Sequence, residues 1–273
     1  MACRQGAGQA TDRGLTDEFT LSSSMEIGFA QFGFIWLAVI FASLLRAFTG
    51  FGFALAAVPV LSLFLAPTEA VVLSSSLILA VSLLNIRHYW GLAELRPALP
   101  LLGTAVLGTA AGVLLLADLS VDSFRLWSGV LVLLASAVMV FYTPSTAKAK
   151  PWVAGIMSGF SGLLAGLMNG VLAMPGPAII IFSLYSQPDP QRSRAQLMIL
   201  LMIAAGIALI AYGAAGFITA QSLINFLVAM PAMILGDRLG FWLFHRFGHA
   251  LYRNVAIVTL FLIGLMVLMS ALV

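Results

Sequence analysis

The chain has 273 residues, of which 62% are hydrophobic and only 8% are charged, with a formal net charge of +3. Soluble domains carry about 25% charged residues, so this composition excludes a soluble globular protein and predicts an all-α, polytopic helical membrane protein. The basic residues are scattered through the loops rather than clustered, which argues against nucleic-acid binding.

The first residues of the chain form a polar tail. No apolar core follows a basic start, so this stretch is unlike a signal peptide. We expect residues 1–24 to be disordered, with Met25 as an alternative start of translation. The single cysteine, Cys3, lies in this tail, and it cannot form an intramolecular disulfide.

Ten apolar segments follow the tail, with lengths typical of membrane helices. They are Ile27–Leu45, Phe48–Leu65, Glu69–Ile86, Pro97–Ala117, Phe124–Tyr142, Trp152–Met168, Val171–Tyr185, Ser193–Tyr212, Leu223–Phe244 and Arg253–Leu272. The second and the seventh are short and interrupted, so each is either a half-helix or a re-entrant hairpin. The sequence therefore predicts ten spans, or eight spans and two re-entrant pieces.

Both short segments are interrupted by glycine and proline beside one uncharged polar residue. The residues concerned are Thr49, Gly50 and Gly52 in the first break, and Asn169, Gly170, Gly176 and Pro177 in the second. In lipid, the backbone groups freed by such breaks are tolerated only where protein or a water-filled cavity satisfies them. Helix pieces that begin after the breaks would direct unpaired N–H groups at one place, which suits an anion. We predict that these residues bind a small anionic substrate; the alternative is that the glycines only permit close packing.

The segments form two sets of five that match in order. Gly52 precedes its counterpart Gly176 by 124 residues, and the pair Gly108 and Gly112 precedes Gly236 and Gly240 by 128 residues. We predict two membrane repeats, at residues 25–147 and 148–273. If both broken segments cross the membrane, the basic loops all lie on the cytoplasmic side and the repeats are inverted. The paired glycines are typical of helix packing within or between protomers, so a homodimer is a candidate assembly.

Charged residues within the predicted spans are few, which favours an anion over a cation as substrate. Of the acidic residues, only Asp237 lies inside a span, whereas cation pumps and proton relays usually bury several carboxylates. Asp237 either carries a coupling proton or pairs with a base on another segment. Arg46 and Arg194 are further candidates for coupling or ion pairing, although an arginine at a span end is more often a surface anchor.

Three adjacent serines, Ser74-Ser75-Ser76, lie in the third segment. At least one of the three hydroxyls should face the interior of a bundle, and we predict that Ser75 donates to the substrate. The alternative is that the hydroxyls bond to carbonyls of their own helix, as serines in apolar helices commonly do.

An intramembrane enzyme is the rival class. Gly159-Phe160-Ser161-Gly162 resembles the serine motif of rhomboid proteases. A serine nucleophile needs a base within hydrogen-bond reach, but Ser161 lies in mid-helix while His245 and His249 lie at a membrane surface. The two histidines lack a third metal ligand. We therefore predict no catalytic residues, no metal and no cofactor. A transporter of metabolites or drugs from another inverted-repeat family remains a further alternative.

The two interrupted runs and the paired small-residue faces resemble the TauE/SafE family, the sulfite exporter-like anion permeases. The carriers are the run from Thr49-Gly50-Phe51-Gly52-Phe53 to Pro59 and the run from Asn169-Gly170 to Pro175-Gly176-Pro177. The resemblance covers nearly all of the chain from Met25 onward. It implies a multi-pass protein of the cell (inner) membrane that exports or imports sulfur-containing or organic anions, such as sulfite, sulfonates or sulfoacetate, with proton coupling.

Overall fold

The structure is a computed structural model that describes residues 32–47, 52–89, 91–92, 95–141, 151–176, 179–180, 182–183, 189–247 and 249–272. Within these ranges every long regular element is a helix and no strand occurs. The prediction of an all-α protein is therefore confirmed.

The first part of the chain contains five described helices. They are α1 (Phe32–Ala47), α2 (Phe53–Leu61), α3 (Pro67–Leu84), α4 (Leu99–Asp118) and α5 (Val121–Phe141). At about 1.5 Å per residue, α2 is too short to cross a hydrocarbon core of about 30 Å. The helix in the second apolar segment is thus a short one that does not cross the membrane alone, which both sequence-based alternatives, a half-helix and a re-entrant hairpin, allow.

The second part of the chain has four long helices and a short, irregular helical stretch. The long ones are α6 (Pro151–Leu172), α7 (Pro190–Ala214), α8 (Ala220–Phe247) and α9 (His249–Leu272). Between α6 and α7, the backbone is helical at residues 176, 179–180 and 182–183. Asp189 begins α7 because its carboxylate accepts a hydrogen bond from the Gln191 N–H at 3.1 Å.

Four of the described helices are long and apolar enough to cross a membrane. They contain the spans Pro67–Leu84, Arg96–Asp118, Gln191–Ala214 and Ala220–Leu243. Large apolar side chains such as Leu107, Leu114 and Ile210 are mostly exposed, which is expected where lipid rather than water surrounds the helices. The chain is an integral, multi-pass membrane protein.

Glycines bring α4 and α6 into backbone contact. A Cβ atom on Gly112 would lie 2.5 Å from the Leu167 carbonyl oxygen and 2.9 Å from the Gly170 Cα atom. Gly108 faces the carbonyl of Leu163 in the same way. The small-residue face predicted on α4 therefore packs within the chain, since only glycine lets two membrane helices approach so closely.

The corresponding glycines of α8 pack against α1. A Cβ atom on Gly236 would lie 2.7 Å from the Ile40 carbonyl oxygen, and one on Gly240 would lie 2.5 Å from the Ala47 Cβ atom. The Trp36 indole N–H donates to the Val228 carbonyl at 2.8 Å across the same interface. The helix that leads into each break is thus held by a glycine face from the other part of the chain.

The other main contacts also join a helix of the first part of the chain to a helix of the second part. Helix α5 packs along α9, and α3 packs along α7. Helix α3 also contacts α8, and α7 contacts α4. Because α3, α7 and the broken segments lie between these pairs, they surround the interior of the bundle.

Candidate functional site

A small cavity lies where the two broken segments meet. It encloses about 20 Å³, somewhat more than the ~10–15 Å³ that one water requires. Its polar lining residues come from α1, α3 and α6 and are Arg46, Ser75, Ser82 and Asn169. Its apolar walls include Phe53–Leu55 of α2, Ala173–Pro175 of the second break and three residues of α7, Met198, Leu201 and Ala205. Few polar groups on an apolar wall are typical of a ligand site.

The first break contributes the beginning of α2 to this cavity. Gly52 is the N-cap of α2 and is buried, and the next three residues, Phe53, Ala54 and Leu55, line the cavity. Their N–H groups belong to the first helical turn, where no intrahelical carbonyl is available. Gly52 itself is not among the lining residues, and Thr49 and Gly50 lie outside the described residues.

The second break begins later than we predicted. Helix α6 continues through Asn169 and Gly170 to Leu172, so the interruption starts at Ala173, whose φ angle is +55°. The Ala173 N–H donates to the Asn169 carbonyl at 2.8 Å, an arrangement that ends helices at a left-handed residue. Helical backbone resumes at Gly176, which lines the cavity. Pro177 lies outside the described residues.

Asn169 and Gly170 face different surroundings. Asn169 lines the cavity, and its side-chain amide donates to the Ala204 carbonyl at 2.8 Å and, more weakly, to the Thr109 hydroxyl at 3.4 Å. One N–H of this amide is therefore firmly held and the other is held loosely. Gly170 does not line the cavity; it lies in the glycine contact between α4 and α6.

The serine triplet divides into three environments. Ser75 is buried and lines the cavity. The Ser76 hydroxyl donates to the Val72 carbonyl of its own helix at 2.8 Å. Ser74 is also buried, and its hydroxyl has no hydrogen-bond partner among the described residues. Of the three, Ser75 is thus the serine that adjoins the cavity.

Three charged residues that the sequence singled out separately lie near one another, and one of them, Arg46, lines the cavity. Arg46 and Asp237 form an ion pair of 3.0 Å between α1 and α8. The Arg46 guanidinium also approaches the Ser82 hydroxyl at 3.5 Å. Arg194, on the first turns of α7, donates to the Ala47 carbonyl at 3.1 Å and is close enough to repel Arg46. Two arginines and one carboxylate give this group of three residues a net positive charge.

The surface-anchor interpretation of Arg46 is wrong. Its side chain is only 6% exposed, it lines the cavity, and it does not reach the surface. The expectation that the partner of Asp237 lies on another segment is confirmed, since that partner is Arg46 on α1. The arginine lies just before a break, yet its carboxylate partner is 191 residues away along the chain, which is why local sequence patterns favoured the wrong alternative.

Tyr212 is a buried polar residue of this region that the sequence analysis did not select. Its hydroxyl donates to the carbonyls of Asn169 at 2.9 Å and Gly170 at 3.1 Å, and the residue is fully buried. A tyrosine inside an apolar segment was a usable signal, because a buried hydroxyl almost always has a partner.

The arrangement is suited to holding a small anion rather than to acid–base or metal chemistry. It combines a buried guanidinium, the start of a helix and a loosely held amide around one cavity. Among the described residues, no group of three metal-binding side chains occurs. The side chains of His245 and His249 lie outside the described residues.

Comparison with known proteins gives one match. A family model described as "Sulfite exporter TauE/SafE" matches residues 35–267, which is most of the chain and includes both breaks. No curated protein and no solved structure matches the chain. The resemblance that the interrupted runs indicated is therefore confirmed.

Proposed function

The chain belongs to the sulfite exporter TauE/SafE family, a family of membrane transporters and not of enzymes, and from this premise we propose that it moves small sulfur-containing or organic anions across the cell (inner) membrane. The proposed substrate site is the cavity between the two breaks. Its proposed contacts are the N–H groups at the start of α2, Ser75, Asn169, Gly176 and Arg46. Thr49, Gly50 and Pro177, which lie outside the described residues, are further proposed contacts.

The charge of the cavity carries this proposal. Arg46 is a buried guanidinium that can bind an oxyanion through two N–H groups, and Arg194 adds a second positive charge nearby. A single carboxylate, Asp237, opposes the two. Arg46 is buried while its carboxylate partner is 27% exposed, so an anion in the cavity would add a second counter-charge to a buried guanidinium.

We further propose that Asp237 couples transport to protons. The Asp237 carboxylate and a substrate anion would compete for the same guanidinium of Arg46. A proton on Asp237 removes its negative charge and so weakens its hold on Arg46. The freed guanidinium then binds the anion more strongly, so a proton and an anion favour each other's binding. The positive charge of Arg194 should further increase the affinity for the anion.

The exchanged helix contacts support the proposal of two inverted repeats at residues 25–147 and 148–273. Each glycine face packs on the first helix of the other repeat, α4 on α6 and α8 on α1. The equivalent helices α3 and α7, and likewise α5 and α9, pack on each other. A two-fold relation between the repeats would produce this set of contacts, as in other transporters with a central site.

Sulfite flux into proteoliposomes tests the site. We expect Asn169→Ala and Gly176→Leu to abolish flux while the protein still inserts, because the first removes an amide from the cavity and the second fills the space. Asn225→Ala is a matched control, since Asn225 is equally buried, on α8, and does not line the cavity. Gly103→Leu is the control for added bulk, because nothing lies within 4 Å of a Cβ atom there.

Two results would contradict the proposal. Unchanged flux in both cavity variants would remove this site. A wild-type protein that moves none of sulfite, sulfate, taurine, sulfoacetate or simple carboxylates would remove the anion class, and transport of cationic drugs or neutral metabolites instead would favour the remaining transporter alternative.

A further inference from the structure

We propose that helix α7 sets the anion selectivity of the site by covering backbone carbonyls at the end of α6, chiefly through Tyr212. The inference rests on the proposed anion transport and adds to it the residue that determines selectivity. Tyr212 is a positioning residue in this proposal, because it acts through the backbone of α6 and does not line the cavity.

A broken helix presents two opposite charges to its surroundings. The piece that begins after the break offers N–H groups and about half a positive charge, while the piece that ends before the break offers carbonyls and about half a negative charge. In transporters with such breaks, uncovered carbonyls coordinate cations. An anion site built from broken helices must therefore suppress its carbonyl ends.

The end of α6 is the carbonyl end nearest the cavity. Asn169 and Gly170 are among its last four residues, where carbonyls commonly lack an intrahelical partner. The Asn169 carbonyl still accepts the regular bond from the Ala173 N–H at 2.8 Å, whereas the Met174 N–H bonds to the Met168 carbonyl and not to that of Gly170. The Tyr212 hydroxyl donates to both carbonyls, at 2.9 Å for Asn169 and 3.1 Å for Gly170. Covering these oxygens removes negative potential from the wall where Ala173 lines the cavity.

Helix α7 also supplies a donor near the first break. Arg194 donates to the Ala47 carbonyl at 3.1 Å, and Ala47 is the last described residue of α1 before that break. Helix α7 thus supplies a donor to a backbone carbonyl of each helix that leads into a break.

The decisive experiment compares the KM for sulfite in wild-type and Tyr212→Phe proteoliposomes at two pH values. One pH lies on the acidic side and the other on the alkaline side of the pKa that separates the sulfite monoanion from the dianion. Sulfite is mainly a monoanion on the acidic side and mainly a dianion on the alkaline side. Uncovering the carbonyls should raise KM roughly tenfold for the monoanion. Because Coulomb energy is proportional to charge, the rise should be roughly a hundredfold for the dianion. The wild type at each pH corrects for other titrating groups.

Two variants separate this effect from packing. Phe217→Leu removes the aromatic neighbour of Tyr212, whose ring centre lies 6.3 Å from that of Tyr212. The Tyr212 hydroxyl stays in place, so any change in KM should be equal at the acidic and the alkaline pH. Replacement of Tyr212 by 4-aminophenylalanine keeps a weaker donor at the same place. We expect a smaller rise in KM with the same bias toward the alkaline side, and this variant decides the question if Tyr212→Phe does not fold.

The outcomes are distinct. A KM that is unchanged, or raised equally on both sides in Tyr212→Phe or the 4-aminophenylalanine variant, overturns the proposal. A wild type that moves no sulfite contradicts the proposed sulfite transport, and the inference falls with it. A rise biased toward the dianion supports the covering role, which a purely structural tyrosine would not produce.

Discussion

Removal of one partner from the Arg46–Asp237 pair should have unequal effects on stability. The pair joins α1 to α8 at 3.0 Å, and the side chain of Arg46 is 6% exposed while that of Asp237 is 27% exposed. Asp237→Asn leaves a nearly buried guanidinium without its counter-charge. Arg46→Gln leaves a carboxylate that can still contact water. We therefore expect Asp237→Asn to be the more destabilising change.

The magnitudes follow from the difference in burial. Breaking a buried pair costs about 3–5 kcal/mol, and the partial exposure of Asp237 favours the lower end, about 3 kcal/mol for Asp237→Asn. For Arg46→Gln we expect about 1 kcal/mol, which is the range of exposed pairs. The double variant should cost less than the sum of the two, with a coupling energy on the order of 2 kcal/mol. A loss of about 3 kcal/mol lowers the melting midpoint by on the order of 5–10 °C.

Thermal unfolding in detergent, with and without sulfite, measures both stability and access to the site. If Arg46 reaches the cavity, added sulfite should restore much of the midpoint lost in Asp237→Asn, because the anion replaces the missing carboxylate. It should have little effect on Arg46→Gln. The reasoning is refuted if Arg46→Gln is the more destabilising of the two, or if sulfite raises both midpoints equally.

Three further predictions concern the backbone contacts. Gly112→Ala should cost about 3 kcal/mol, because its Cβ atom would lie 2.5 Å from a carbonyl of α6, whereas Gly103→Ala should leave the melting midpoint unchanged; equal midpoints would contradict the close contact. Ala173→Gly should stabilise the protein by about 0.5–1 kcal/mol in the same assay, since φ is +55°; a lower midpoint would argue against that backbone. Arg125→Gln should cost about 1–2 kcal/mol, because the guanidinium donates to the Ser62 carbonyl at 3.1 Å and 3.3 Å; an unchanged midpoint would show that this cap contributes nothing.

The helices themselves could be predicted because each depends on its own composition. Apolar runs of about 20 residues can only be helices in a bilayer, and the predicted and described bounds differ by a few residues at most ends. The glycine faces were also predictable, since glycine at every fourth position in an apolar helix has a packing role. Their partners were not, because α6 and α1 lie in distant parts of the chain.

The position of the second break shows where local propensity fails. Glycine weakens a helix, so the sequence placed the start of the break at Asn169 and Gly170. Instead, Gly170 is one of the glycines through which α6 contacts the backbone of α4, and packing of the two helices holds that turn together. The helix ends at Leu172, shortly before Pro175, which has no N–H group to continue it.

The residues in and around the cavity also divide into those that could be predicted from the sequence and one that could not. Asn169, Gly176 and Ser75 could be selected because each is a polar or small residue in an otherwise apolar run. Tyr212 was missed because aromatic residues are common in membrane segments, and nothing local shows which hydroxyl covers a helix end. That property depends on the carbonyls of another helix, 42 and 43 residues earlier in the chain.

The exchange of glycine faces also constrains how the protein is made. Helix α1 leaves the ribosome early, but the surface that receives it, on α8, is synthesised about 190 residues later. Until then α1 and its buried arginine have no partner for their inner face, so the early helices must wait in the membrane beside lipid or an insertion factor. Final assembly can therefore occur only when nearly the whole chain has been translated, and two fragments cut between α5 and α6 should reassemble when they are produced together but not when either is produced alone.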